Sequence, residues 1–274
     1  MRKLLARCII ELAWFSTYGM NARKRALMLE RIQDGLRTTK QTVDTETEGG
    51  TLRFSTPSRR LAQFALQGPK SEPDTAAWIE RLPENAVLWD IGAHMGIFSL
   101  YAALRPGVRV LAFEPGAASY AILNRNIEIN GMADRIRAYP ITLAGSTRLD
   151  FLNMANTAAG GSMQGFGTER DQYGKVIRTT FRQAGVGFSI DDFVRLFSPP
   201  APTHVKIDVD GIEAEILRGG RDTLSAPDVQ GMIVEIQGDL DSAHNQEIYR
   251  LMNELGFRGR PKESPDYRNV IFDR

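Results

Sequence analysis

AVLWDIGAHMGIFSL, residues 86–100, joins an apolar run to a glycine turn and then to a second apolar run. The first run, AVLWDI (86–91), is short, rich in large apolar residues and closed by a turn, as expected of a buried strand. The second, IFSLYAAL (97–104), has the composition of a helix. A strand that ends in a glycine turn and feeds a helix N-terminus places a nucleotide-like ligand at the carboxyl edge of an open sheet.

Outward from this unit the pattern repeats. VRVLAFE (108–114) reads as a strand, ASYAILNRNIEIN (118–130) as a helix and RIRAYPI (135–141) as a strand. Farther on come SIDDFVRLF (189–197, helix), THVKIDV (203–209, strand), IEAEILRGG (212–220, helix), VQGMIVEIQ (229–237, strand) and HNQEIYRLMNEL (244–255, helix). Alternation of this kind predicts an α/β, doubly wound, mostly parallel sheet with crossover helices on both faces. RNVIFDR (268–274) reads as a last strand, antiparallel at or near an edge. Between the third and fourth core strands, residues 145–185 break the pattern. RLDFLN (148–153) and KVIRTTF (175–181) read as strands flanking the Gly-rich NTAAGGSMQGFG, and a long insertion of this type is more often functional than accidental.

The spacing of the turn selects among ligands. A nicotinamide or flavin fingerprint is G-x-G-x-x-G, with backbone amides against a pyrophosphate. Here the turn reads D-x-G-x-x-x-G, with Asp90, Gly92, Ala93, His94 and Gly96. Asp90 at the strand end repels a pyrophosphate and suits a cation, such as the ammonium of S-adenosylmethionine. The second strand ends in Glu114-Pro115, 24 residues after Asp90, where an acid accepts ribose hydroxyls. Glycines at 92 and 96 are expected to let the backbone approach the ligand closely. A nicotinamide-dependent oxidoreductase and a non-catalytic cofactor-binding module are the competing readings. The missing G-x-G-x-x-G, whose middle glycine is replaced by His94, weighs against the first, and the acids against the second.

THVKIDVDGIEAEIL (203–217) carries a second cluster of charge, Lys206, Asp208 and Asp210, on a strand of apolar alternates. Charges on a central strand are costly to bury unless paired or used. Either Lys206 and Asp208 form a structural ion pair, or Asp208 receives the proton of a methyl acceptor while Lys206 and Glu213 tune the field around it. Glu235 adds an acid at the tip of the next strand. Asp208, Asp210 and Glu235 could together offer oxygen ligands to a divalent cation, but no spacing demands a metal, and none is assigned. His94 is expected to cap the next helix or pack on the cofactor.

Composition bounds the rest. With 34 basic and 33 acidic residues the net charge is +1, which provides no global field for nucleic acid. A single cysteine, Cys8, excludes an internal disulfide and fits a cytoplasmic location. Residues 1–40 read as helical and basic. Leu4, Leu5, Cys8, Ile9, Leu12 and Phe15 recur at helical spacing, in a run too short to span a bilayer. Such a helix packs on its own domain or on a second subunit, or else lies on a membrane surface through Arg2, Lys3, Arg7 and Arg23-Lys24-Arg25. The expected organisation is an N-terminal helical extension with loops over 1–71 and a catalytic domain over 72–274. The stretch 38–58 is expected to form loops or a short strand pair.

Taken in order, EPDTAAWI, LWDIGAHMGIFSL, VLAFEP, LNRNIEING, GGSM, SIDDF, VKIDVDGIEAEILRGG and IVEIQ resemble the FkbM-type methyltransferase family over residues 72–237. The resemblance implies a Rossmann-like seven-stranded sheet and S-adenosylmethionine-dependent O-methylation. The implied acceptor is a hydroxyl of a small molecule or glycan: a sugar, glycolipid or secondary metabolite. It also implies that Ser162 lies near the adenine or a substrate loop, and that Asn124, Asn126 and Asn130 are structural. His94 stands where the family usually has Asn, and Asp210 where the later motif often has Glu.

Overall fold

The computed structural model describes residues 2–38, 41–161, 164–170, 174–236, 241–260 and 269–274. Ser162 lies outside them. Two compact units are present, Met1–Thr42 and Val43–Arg274.

The smaller unit consists of helices α1 (Arg2–Phe15) and α2 (Ala22–Thr38). The larger begins with a two-stranded sheet, β1 (Thr42–Thr47) and β2 (Gly50–Ser55), within the stretch expected to hold loops or a strand pair. Helix α3 (Arg59–Gln67) follows, capped by the Ser58 hydroxyl. After one 3₁₀ turn comes α4 (Pro73–Glu80), whose proline occupies the first turn, where no N–H is missed. The hairpin and α3, grouped by sequence with the N-terminal region, thus sit in the larger unit.

The alternating segment yields β3 (Val87–Ile91), α5 (Ile97–Ala103), β4 (Arg109–Phe113), α6 (Ala117–Ile129) and β5 (Ile136–Tyr139). The insertion contributes β6 (Thr142–Leu143), β7 (Arg148–Met154), β8 (Gln164–Phe166) and β9 (Phe181–Phe188). The remainder is α7 (Ile190–Phe197), β10 (His204–Ile207), α8 (Glu213–Gly219), α9 (Arg221–Leu224), β11 (Gly231–Glu235), α10 (Ala243–Glu254), β12 (Arg258–Gly259) and β13 (Asn269–Asp273).

The principal sheet has seven strands in the order β12-β13-β11-β10-β3-β4-β5. The five strands from β11 to β5 are parallel, whereas β13 runs antiparallel between β11 and β12, so the sheet is mixed. Strand order reverses between β3 and β10, which makes their carboxyl ends the crevice of the fold. β3 and β10 are buried along their whole length, because helices cover both faces.

A separate four-stranded sheet, β6-β9-β7-β8, is built by the insertion. KVIRTTF, expected as a strand, holds an isolated bridge between Val176 and Arg170 and enters a strand only at its last residue, Phe181. The strand is instead the following segment, FRQAGVGF. Its glycines obscured it, and the structure explains one of them: a Cβ on Gly187 would stand 2.5 Å from the Phe166 ring.

Candidate functional site

The carboxyl ends of β3, β4, β10 and β11 open into a cavity of about 790 Å³. Asp90, Gly92, Ala93, His94, Glu114, Pro115, Lys206 and Asp208, all singled out from sequence, line it. Glu72, Asp74, Asp210 and Glu235 add further acids, and Arg60 joins Lys206 as a second cation.

Asp90, the residue before the last of β3, is 1% exposed. Its Oδ2 accepts a 2.5 Å hydrogen bond from the Ser99 hydroxyl on α5. Its Oδ1 is buried without a hydrogen-bond partner and lies 4.0 Å from Lys206 Nζ. Burial raises the Asp90 pKa against the opposing pull of Lys206 and Ser99. An orphaned acceptor at a cavity wall marks a place for a donor.

Glu114 follows β4 and is also buried. Its Oε2 accepts the His94 N–H at 2.9 Å and its Oε1 the Gly116 N–H at 2.8 Å. Each oxygen thereby keeps one lone pair. Burial pushes its pKa up to about 7, although both backbone donors act in the other direction. The glycine turn and the acid of the neighbouring strand are thus one hydrogen-bonded unit. His94 makes that bond from a left-handed backbone with φ of 54°, where a non-glycine residue is uncommon. Its ring packs edge-on against Phe64 of α3 at 5.3 Å, and burial lowers its pKa. The cap of α5 is Gly96, not His94.

The two turn glycines have different reasons. Gly92 has φ of 86°, and a Cβ there would stand 1.9 Å from the Asp208 carbonyl oxygen. Gly96 does not line the cavity. A Cβ on it would meet Leu123 and Leu100 at 2.5 and 2.7 Å, so its smallness serves the packing of α5 against α6, not ligand approach.

Lys206 is the electrostatic centre. It is 2% exposed and donates to Asp208 Oδ2 at 2.6 Å. Its ammonium also lies over the Phe98 ring at 5.2 Å. Burial disfavours its charge, but Asp208, Asp90 and Glu72 together drive its pKa above the ordinary lysine range. Burial would raise Asp208, yet Lys206 holds it below the usual carboxylate value. Glu235 behaves oppositely. Burial, then the charge of Asp208 and the hydrogen bond to it, push Glu235 up to about 10. At neutral pH Glu235 therefore keeps its proton and donates it to Asp208.

Asp210 and Glu213 lead away from this centre. Asp210 Oδ2 accepts the Gln164 N–H of β8 at 2.8 Å, pinning the insertion to the β10–α8 loop. Gln183 of β9 does the same at β4, accepting from Ala117 N–H at 3.0 Å and donating to the Pro115 carbonyl at 2.7 Å. Glu213 does not reach the cavity. Its Oε1 accepts the Gly211 N–H and its Oε2 meets His244 Nε2 at 3.0 Å, a role in holding the N-terminus of α8. Among the described residues, no group of three or more His, Cys, Asp or Glu is arranged to hold a metal ion.

Sequence reading passed over Glu72, Arg60, Phe64 and Asn269 as cavity residues. Glu72 precedes α4 and accepts from Thr75 at 2.9 Å and from Asn269 of β13 at 2.8 Å. Its place before Pro73 marked a helix start, but only the chain's return through β13 brings it to Lys206.

A family model described as the methyltransferase FkbM domain matches residues 90–258. The chain is 27% identical over 220 residues to methyltransferase sdnD of Sordaria araneosa, covering 72% of this chain and 84% of that protein. It is 27% identical to hexuronic acid methyltransferase AglP of Haloferax volcanii, covering 64% of this chain and 65% of that one. To 31-O-demethyl-FK506 methyltransferase FkbM of Streptomyces tacrolimicus it is 28% identical, covering 65% and 75%. From the acid that opens the glycine turn to the edge strand β12, over more than half of its length, the chain belongs to the methyltransferase FkbM domain family.

Proposed function

We propose that this protein is an S-adenosylmethionine-dependent O-methyltransferase acting on a hydroxyl of a sugar, glycolipid or secondary metabolite. The observation that carries the reading is the acid-lined cavity in which Asp90 keeps a buried, unpartnered oxygen while Glu114 keeps a lone pair on each of its own. The cofactor has an ammonium and a ribose diol, donors that match this set. A pyrophosphate would meet Asp90, Glu114 and Asp210 with like charge. Cavities of about 300–1,000 Å³ are usual for bound small molecules.

In this reading Asp90 accepts from the ammonium and Glu114 from the ribose hydroxyls, with Ala93, His94 and Pro115 forming the adjoining wall. When bound, the cofactor supplies an electrophilic methyl group. Asp208 takes a hydrogen bond from the acceptor hydroxyl, orients its oxygen, and receives the proton as that oxygen becomes acidic on bonding to carbon. Lys206 keeps Asp208 ionised for this task, and the hydrogen bond from Glu235 helps to fix its carboxylate. The names of the AglP and FkbM relatives, a hexuronic acid and a 31-O-demethyl-FK506 methyltransferase, support the acceptor class.

Calorimetric titration with S-adenosylmethionine and S-adenosylhomocysteine tests the reading. Asp90→Ala and Glu114→Ala are expected to weaken both ligands by about tenfold or more, in line with loss of a charged hydrogen bond. Unchanged affinities in both variants would remove the site assignment. Labelled cofactor incubated with host extract then identifies the acceptor.

A further inference from the structure

We infer that the α1–α2 corner is an interfacial anchor that seats on an anionic membrane surface. The chain's charge is unevenly divided. Residues 1–42 carry nine Lys or Arg against three Asp or Glu, whereas residues 43–274 carry 25 against 30. A near-neutral protein therefore consists of a strongly cationic segment and a mildly acidic remainder.

Several large apolar residues of the segment are left out of its own packing. Leu12, Trp14, Phe15 and Tyr18 are 66, 59, 77 and 86% exposed. Phe15 and Tyr18 stack at 6.4 Å with their rings nearly parallel. Their mutual contact leaves most of both rings in water. Cys8 and Ile9, on the face expected to pack, are exposed too.

The corner that presents these rings is well tied. Thr17 Oγ1 donates to the Trp14 carbonyl at 2.8 Å, and Tyr18 N–H to the Phe15 carbonyl at 3.0 Å. Asn21 caps α2 by accepting the Lys24 N–H at 2.9 Å. Arg23, Lys24 and Arg25 then fill the first turn, with no acid among them. Cations there oppose the helix macrodipole and cost helix stability. Arg25 stacks over Trp14 at 5.9 Å, while Arg23 and Lys24 point to solvent. An unfavourable placement next to three exposed aromatic rings makes sense where an external anion compensates the charge.

Trp, Phe and Leu beside Lys and Arg are the composition of helices that lie in the headgroup region. A nucleic acid would use the cations but not Leu12 and Phe15. A second copy would cover the rings but face the same cations with like charge. No described helix is long and apolar enough to cross a membrane, so the contact is peripheral.

Sedimentation of the 274-residue protein with phosphatidylcholine vesicles, with and without phosphatidylglycerol, tests this. Binding is expected only with the anionic lipid and is expected to fall as salt rises. Trp78 and Trp89 are buried, so a blue shift of tryptophan emission on vesicles reports Trp14. Arg23→Glu/Lys24→Glu and, separately, Trp14→Ser/Phe15→Ser should each lower partitioning on the order of tenfold. Both are expected to leave S-adenosylhomocysteine affinity and melting of the larger unit unchanged. The inference is overturned by absence of sedimentation, by binding that neither double variant weakens, by equal retention on RNA, or by a light-scattering dimer that Trp14→Ser/Phe15→Ser dissociates without any lipid binding.

Discussion

The carbonyl oxygen of Asp208 occupies the space into which a side chain on Gly92 would grow, 1.9 Å from the position of its first carbon. The ends of β3 and β10 therefore touch backbone to backbone, and the two halves of the cavity, glycine turn and acid cluster, are set against each other at this point.

Gly92→Ala is the most economical test of that contact. The added methyl must displace the β10 end and also take a φ of 86°. We expect a loss of about 2 kcal/mol or more in urea unfolding, the sum of strain and overpacking. Cofactor affinity should fall as well. A variant with wild-type stability and binding would show that the two strand ends separate freely.

Lys206→Met replaces the one buried cation among Asp90, Asp208 and Glu72. Removing one member of a buried ionic group typically costs about 3–5 kcal/mol. The orphaned carboxylates then titrate upward and are tolerated best when protonated. The deficit relative to wild type should therefore be smaller at low pH and grow as pH rises through neutrality, measured as urea midpoints across that range. A deficit independent of pH would indicate that lost packing on Phe98, not charge, is responsible.

If Glu114 holds the cofactor as proposed, ligand binding is expected to depend on pH in the opposite sense to folding. Its pKa is about 7 in the folded protein against an ordinary 4.5. The fold holds the extra proton between those values, so its contribution to stability declines as pH rises across that window and is constant above it. The ionised form, however, is the better acceptor for ribose hydroxyls. Cofactor affinity should rise from about pH 6 to about pH 8, and Glu114→Gln should flatten the profile, both read by calorimetry.

Asn126 joins three parts of the molecule from within α6. Fully buried, it accepts the Ser55 N–H of β2 at 2.7 Å and donates to the Met95 carbonyl of the glycine turn at 2.8 Å. One turn later Asn130 accepts from and donates to Arg53. Asn126→Ala leaves one buried and one half-buried backbone group unpaired, a cost of about 2–4 kcal/mol. Proteolysis of the β1–β2 hairpin should accelerate in parallel. Asn130→Ala, at a half-buried position, should cost less.

The core sheet was legible because its strands and helices are each built from contiguous residues whose apolar spacing states their type. Asp90, Glu114 and Lys206 stand at strand ends, so reading the strands located them. Glu72 and Arg60 enter the cavity through tertiary return of distant segments, which no local pattern encodes. Glu213, in the most distinctive motif of the chain, faces His244 and does not line the cavity, so it acts on the site through its charge, which helps to raise Glu235. In the insertion, β9 was hidden because Gly185 and Gly187 lower strand propensity, while the Phe166 ring needs the room left at Gly187. The edge strand β12, only two residues long, left no periodic trace.

The insertion's β6-β9-β7-β8 sheet pairs its strands internally and grips the principal sheet through two glutamines, Gln164 to Asp210 and Gln183 to Pro115 and Ala117. Leu152 and Phe166 from that sheet also form part of the cavity wall. A lining carried on an independently paired scaffold is modular. On the proposed function, its outer loops are free to vary with the acceptor while the strands of the principal sheet keep their register.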